Sequence, residues 1–306
     1  MRRSAYVLTL VVLAACSQDT VGPASPIAPA QVTPGPALDA SASRRAVVEF
    51  IEAYRASPQQ GVDPLFGLVA GRELAEWVRW LDVQHREFEG EIEATSDVRD
   101  VEFVGAISDE ESTSTQVGLS ASVIFTFTPS GDEPIQLIRV LDGPVTLVRT
   151  APATFRVVDL LRNGVPMSDG IVAFPRQRRT EADVTVRLTS LFMFPPYWQF
   201  NVIVENRGAA DLELDPSGAA LFVETADGFD RVEGSITGSL EVVPAGAAVD
   251  GLMVFRAQDT ADGRVLSLAY GNGRDALLFE FPLTDLVTVV PPPPPVDEGS
   301  EPIAPN

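Results

Sequence analysis

The chain holds one histidine, His85, one cysteine, Cys16, and no lysine, so all 22 of its basic residues are arginine. That inventory removes whole classes of chemistry. A Ser-His-Asp triad could draw only on His85. Without lysine there is no Schiff base, no pyridoxal attachment, no Ser-Lys dyad and no Walker-type phosphate loop. Neither a zinc-type histidine spacing nor a Gly-rich dinucleotide fingerprint occurs, so no metal site and no cofactor are expected. Paired carboxylates hydrolyse glycosides when two of them face each other across a cleft. The most regular acidic run, Glu87, Glu89, Glu91 and Glu93, reads instead as the solvated end of a helix. Loop carboxylates at Asp227-Gly228-Phe229-Asp230 and Asp259-Thr260-Ala261-Asp262-Gly263 would suit calcium, but they lack the alternating ligand spacing of an EF-hand and read as β-turns. Arg176, Arg178 and Arg179 form the one basic cluster. It reads as an anion site or, more simply, as a linker salted against an acidic surface. No catalytic residues are assigned.

The elements that must position these residues fall into two groups. Val47, Phe50, Ile51 and Tyr54 repeat at helical spacing behind Ser43, which could cap that helix. A longer helix is predicted from about residue 70 to 93, with Leu74, Trp77, Val78, Leu81, Phe88 and Ile92 on one stripe. His85 lies on the same stripe, four residues after Leu81, which suggests a partly buried, hydrogen-bonded structural histidine. From Val117 the period changes to two: Leu119, Ala121, Val123, Phe125 and Phe127 alternate with mostly polar residues, as on a strand with one buried face. Strands at about 135–141, 144–150 and 154–161 follow, separated by turn signals that include Asp142-Gly143-Pro144. Helices first and a meander afterwards predict an α+β domain with a curved antiparallel sheet over residues 44–178. From residue 179 to 287, short strands recur between turns such as Asn206-Arg207-Gly208 and Asn272-Gly273, which predicts an all-β sandwich.

The ends of the chain differ in character. Arg2 and Arg3, the apolar run Tyr6 to Leu13, and Leu13-Ala14-Ala15-Cys16 follow the order of an export signal, and the run is too short to span a bilayer. The last four residues resemble the lipobox of bacterial lipoproteins. The resemblance implies a signal peptide over 1–15, a diacylglycerol anchor on Cys16, and a place in the bacterial envelope, with the outer membrane or cell surface open to it. Residues 16–43 are rich in Pro, Ala and Ser and read as a flexible tether; the proline run Pro291 to Pro295 begins a disordered tail within 288–306. The net charge of −21 argues against nucleic-acid partners.

Two further resemblances bear on function. The helix-then-strand order, closing on Thr154-Phe155-Arg156-Val157-Val158-Asp159 and Asn163-Gly164, resembles the cone fold of the nuclear-transport-factor-2-like (SnoaL-like) superfamily. That fold implies a pocket between the long helix and the concave sheet face, for which Trp77, Trp80, Leu81, His85 and Phe125 are candidates; otherwise the same residues pack a closed core. The stretches Phe200 to Asn206, Val243 to Gly246 and Gly251 to Phe255 are similar to the immunoglobulin-like domain of unknown function of envelope lipoproteins, a form shared with a secreted immunoprotective antigen. Together these readings imply a non-enzymatic envelope lipoprotein presenting an interaction or ligand-binding module. It would be anchored in the membrane through Cys16, with an envelope protein or a polysaccharide as partner. The alternative is a small-molecule binder, or an enzyme of hydrolase or isomerase type, using a pocket in the α+β domain. Mass spectrometry of the mature N-terminus is expected to find residues 1–15 removed and Cys16 lipidated; an unmodified Cys16 would overturn the anchor.

Overall fold

Val47, Phe50, Ile51 and Tyr54 are buried on one face of helix α1 (Ala40–Gln60). The computed structural model describes residues 40–109, 112–130, 133–162, 164–194, 197–225, 227–256, 264–271 and 276–283. Cys16, the signal segment, most of the tether, the 288–306 tail, Asn163, and the turns at 259–263 and 272–273 lie outside them. Helix α1 begins at Ala40, ahead of the expected cap, so Ser43 sits inside it with its hydroxyl donating back to the Ala40 carbonyl at 3.1 Å. Near the other end, Pro58 has no N–H to offer the carbonyl four residues back. The Ser57 hydroxyl donates to that Tyr54 oxygen at 2.8 Å instead.

After the short α2 (Asp63–Leu68), α3 runs from Arg72 to Glu87, not to residue 93. The chain then becomes strand β1 (Gly90–Asp109), paired with β2 (Ser112–Pro129) so that Ile92 faces Phe127 and Ala94 faces Phe125. The glutamates at 91 and 93 therefore alternate on a strand, with Ile92 and Ala94 turned inward between them. Helical and strand periods both fit this stretch, and pairing with the strongly alternating β2 decides between them. β3 (Ile135–Ala151) is one continuous strand, although Asp142-Gly143-Pro144 reads as a turn. Gly143 meets the strand with a φ of +130° and leaves room for Leu161, whose Cδ1 would lie 2.6 Å from a Cβ there. With β4 (Thr154–Asp159) these strands form an antiparallel sheet in the order β1-β2-β3-β4, and the three helices bury their apolar faces against it.

A hairpin, β5 (Leu161–Arg162) and β6 (Val165–Pro166), leads into the β-rich half. Here β7 (Ile171–Ala173), β8 (Arg178–Glu181), β9 (Val184–Phe194), β10 (Tyr197–Asn206), β11 (Leu212–Thr225), β12 (Gly228–Glu233), β13 (Ser235–Ile236), β14 (Val242–Val243), β15 (Ala248–Arg256), β16 (Arg264–Tyr270) and β17 (Leu277–Pro282) form antiparallel sheets. One has the order β13-β15-β10-β9-β7, with β8 also on β9; another has the order β12-β11-β16-β17, with β14 on β11. Val186, Phe200, Val202, Leu221, Leu268 and Phe279 are among the residues of their shared buried cluster. β7 already belongs to the sheet of β9, so the chain enters this half before residue 178. The buried Asn206 side chain stitches the end of β10 to nearby loops, donating to the Ala210, Val243 and Pro244 carbonyls at 2.8, 3.1 and 3.2 Å and accepting from the Gly208 N–H at 2.9 Å.

A single bulge decides what β9 does. Asn201 pairs with Ser190 but Val202 pairs with Leu188, which leaves Thr189 as the extra residue. A one-residue insertion exchanges the faces of everything beyond it. Val184, Val186 and Leu188 point into the cluster of the β-rich half; past the bulge Leu191 and Met193 do so, and Phe192 and Phe194 turn toward the helices.

Candidate functional site

Arg139 sits where strand β3 should present an apolar residue. Its neighbours on the same face, Leu137 and Leu141, turn inward toward the helices. An arginine in that row is half-buried on the helix-facing side of the sheet, where its guanidinium must find something polar. What it finds is a cavity of about 90 Å³ lined by Tyr54, Trp77, Trp80, Ile138, Arg139, Val140, Leu141, Leu160, Arg162 and Met167. Two guanidiniums and a phenol thus converge among aromatic and aliphatic walls. No carboxylate is among the lining residues.

Each wall has a local cause. Tyr54 stands on the buried face of α1, with its ring 5.1 Å from those of both Trp77 and Phe125. Arg162 rides on the β5-β6 hairpin, and the Asp159 carboxylate holds the base of that hairpin. It accepts from the Leu160 N–H at 2.9 Å, the Ser168 N–H at 3.1 Å and the Ser168 hydroxyl at 2.6 Å. The guanidinium of Arg162 lies over the Phe194 ring, 4.0 Å from its centroid. Gly170 makes room for that ring, since a Cβ there would come within 2.4 Å of Phe194 Cε1. Trp80 is turned into place by its indole N–H, which donates to Gln199 Oε1 at 2.7 Å.

The electrostatics follow from this packing. Burial, and then the positive charge of Arg139, lower Arg162 to about 10, which leaves it protonated at neutral pH. Burial raises the Tyr54 phenol above its ordinary value, and Arg139 and Arg162 partly offset the rise. The cavity at neutral pH therefore holds two positive charges and a neutral hydroxyl. Such a group of side chains is suited to holding an anion; a proton acceptor poised near neutrality is not part of it.

Of the five residues that the sequence offers for a pocket, Trp77 and Trp80 line this cavity, and Leu81, His85 and Phe125 are not among its lining residues. Leu81 is buried among the helices. Phe125 packs behind Tyr54. His85 stacks near Phe125 at 6.4 Å with a buried Nδ1 that lacks a hydrogen-bond partner, and burial lowers its pKa. The two arginines were missed, and the signal for one was present: Arg139 interrupts the Leu137-Leu141 alternation. Among the described residues, no group of three or more His, Cys, Asp or Glu side chains could hold a metal, and no helix is long and apolar enough to cross a membrane. A larger groove of about 410 Å³ crosses the outer sheet face past Asp100, Glu102, Gly118 and Gly143. It is an open trough left by small residues.

No protein-family model matches the chain. No curated protein matches it either. Among solved structures it is similar to the intermembrane space region of the chloroplast protein ARC6, at 10% identity and a TM-score of 0.32, over 42% of this chain and 98% of that one. A likeness that slight carries no argument about fold or function.

Beside the cavity, Glu76 of α3 is buried against β9 and pairs with Arg79. Burial raises its carboxyl pKa, by more than Arg79, Arg72 and the Ser190 and Thr189 hydroxyls lower it. An acid whose folded pKa is raised gives its full stability below the unfolded value near 4.5 and loses it as the pH climbs through the folded value. Glu76→Gln is accordingly expected to raise the melting temperature at pH 7.5, with the gain shrinking as the pH falls toward 4.5. Thermal unfolding across that range is the check, and a gain independent of pH would contradict it.

Proposed function

We propose that this protein is a non-catalytic ligand-binding lipoprotein of a bacterial envelope, and that its α+β half holds a small organic anion between Arg139, Arg162 and Tyr54. The observation that carries the binding reading is the pair of charged guanidiniums facing one cavity whose lining contains no carboxylate. The chain as a whole carries −21, so positive charge collected in an aromatic-walled recess is a local exception that needs a reason. The envelope address rests on residues 1–16, whose order supports a cleaved signal and a lipidated Cys16. A cone-like α+β domain is supported by helices packed over an antiparallel sheet, and an immunoglobulin-like sandwich by two antiparallel sheets sharing one buried cluster. An envelope protein or polysaccharide partner would meet the β-rich half.

Size narrows the ligand. An engineered cavity of about 150 Å³ accepts benzene, so about 90 Å³ suits a short aliphatic carboxylate better than an aromatic one. Planar guanidiniums bind carboxylates through paired N–H donors, and charge-assisted bonds of this kind contribute about 1.5–3 kcal/mol each. Calorimetry with acetate, propionate and benzoate is expected to show binding of the aliphatic acids. Arg139→Leu and Arg162→Met should each weaken it by roughly 10- to 100-fold. Arg139→Leu, which restores the apolar row on β3, should also raise the melting temperature without ligand, because it removes a like-charge neighbour of Arg162. Unchanged affinity in both variants would end the reading.

A further inference from the structure

The lining residues of the anion cavity all belong to the α+β half, but two of them, Trp80 and Arg162, rest on the β-rich half. Three residues on one face of the β9-β10 hairpin hold the parts of the site that act. Gln199 accepts the Trp80 indole N–H at 2.7 Å and also the Gln84 amide at 3.3 Å. Phe192, which pairs with Gln199 across the two strands, packs on the Trp80 ring at 5.5 Å. Phe194 lies two residues further along the same face, 6.5 Å from Phe192, and carries the Arg162 guanidinium on its ring. Phe192 and Phe194 face this way because of the Thr189 bulge, which brings them level with Gln199 on the same face of the unbulged β10. From this geometry we infer that Gln199 and Phe194 are positioning residues for the anion site, so that anion affinity is set by how the β-rich half seats against α3.

This inference rests on the anion reading and adds a direction to it. Trp80 and Arg162 sit on separate segments of the α+β half, and both rest on the shared β9-β10 hairpin. α3 is tied to the same half further along, by Arg86 to Asp250 at 2.7 Å and by the Ser239 N–H donating to Glu87 at 3.1 Å. A shift of that half along α3 would therefore carry the Phe194 ring and the Gln199 acceptor with it. By linkage, an anion that holds Arg162 and Trp80 in place tightens the seating, and any partner that alters the seating alters anion affinity by the same factor.

The test compares wild type, Arg162→Met, Gln199→Met and Phe194→Leu in the full chain, using acetate as the probe. Calorimetry gives affinity, and the ¹⁵N-labelled Trp80 indole N–H resonance reports its hydrogen bond. Phe194→Leu removes the ring face under the guanidinium and is expected to weaken acetate binding by about 3- to 30-fold. Gln199→Met removes the acceptor, should weaken binding by about fivefold, and should shift the indole resonance. Gln199→Glu, which keeps an oxygen at the same reach, should return that resonance toward wild type. A merely structural role would lower thermal stability in both variants while leaving affinity unchanged. If wild type binds and Arg162→Met does not, but both hairpin variants bind like wild type, the positioning role is overturned and the anion site stands. If wild type binds no acetate, the anion reading fails and the inference falls with it.

Discussion

Two guanidiniums turned toward one small space repel each other, and burial makes Arg162 costlier still. Nothing in the pair itself favours the arrangement, so the rest of the fold must impose it. Arg139 is fixed by the register of β3 on β2, where it stands opposite Val123. Arg162 is fixed by the Asp159 clamp beneath its hairpin and by the Phe194 ring beneath its guanidinium. Burial lowers Arg162 only to about 10, so the charge survives at neutral pH. The unliganded protein therefore holds a local strain that an anion would relieve, and such strain is a usual mark of a functional site.

Helix α3 makes this possible because it is buried on two sides. Leu74, Trp77, Val78 and Leu81 pack within the α+β half. Glu76, Trp80, Arg86 and Glu87 meet β9, β10 and the β15 region through an aromatic contact, hydrogen bonds and an ion pair. Trp77 and Trp80 thus line one cavity from a helix that both halves grip. The polar character of that second side has a cost. Glu76 is buried with an exposed Arg79 as its ion-pair partner, and that pairing offsets only part of the cost of burying the carboxylate.

Much of this was legible in the residues, and what was not has definite causes. The face of α1 and the alternation of β2 could be read directly, since each repeats one period without interruption. Trp77 and Trp80 could be placed near a pocket because the long helix had to face a sheet. Arg139 was legible in principle, as a charge in the Leu137-Leu141 row, but only after strand parity is assigned. The end of α3 was not, because Phe88 and Ile92 continue its stripe while Glu91 and Glu93 fit a strand equally well. Tertiary pairing with β2 settles that ambiguity, and no local signal does. The Thr189 bulge is likewise invisible: a threonine between Leu188 and Ser190, followed by four apolar residues that could face either way, says nothing about register. Phe192 on Trp80 and Phe194 under Arg162 depend on that one inserted residue.

The account is most directly tested by separating charge from shape at the cavity. Calorimetric titration of the full chain with acetate and with acetamide, which has nearly the same size and no charge, does this in one experiment. Acetate is expected to bind and acetamide is not, because the two guanidiniums supply the driving force. Equal binding of both, or of neither, would contradict the claim that Arg139 and Arg162 build an anion site.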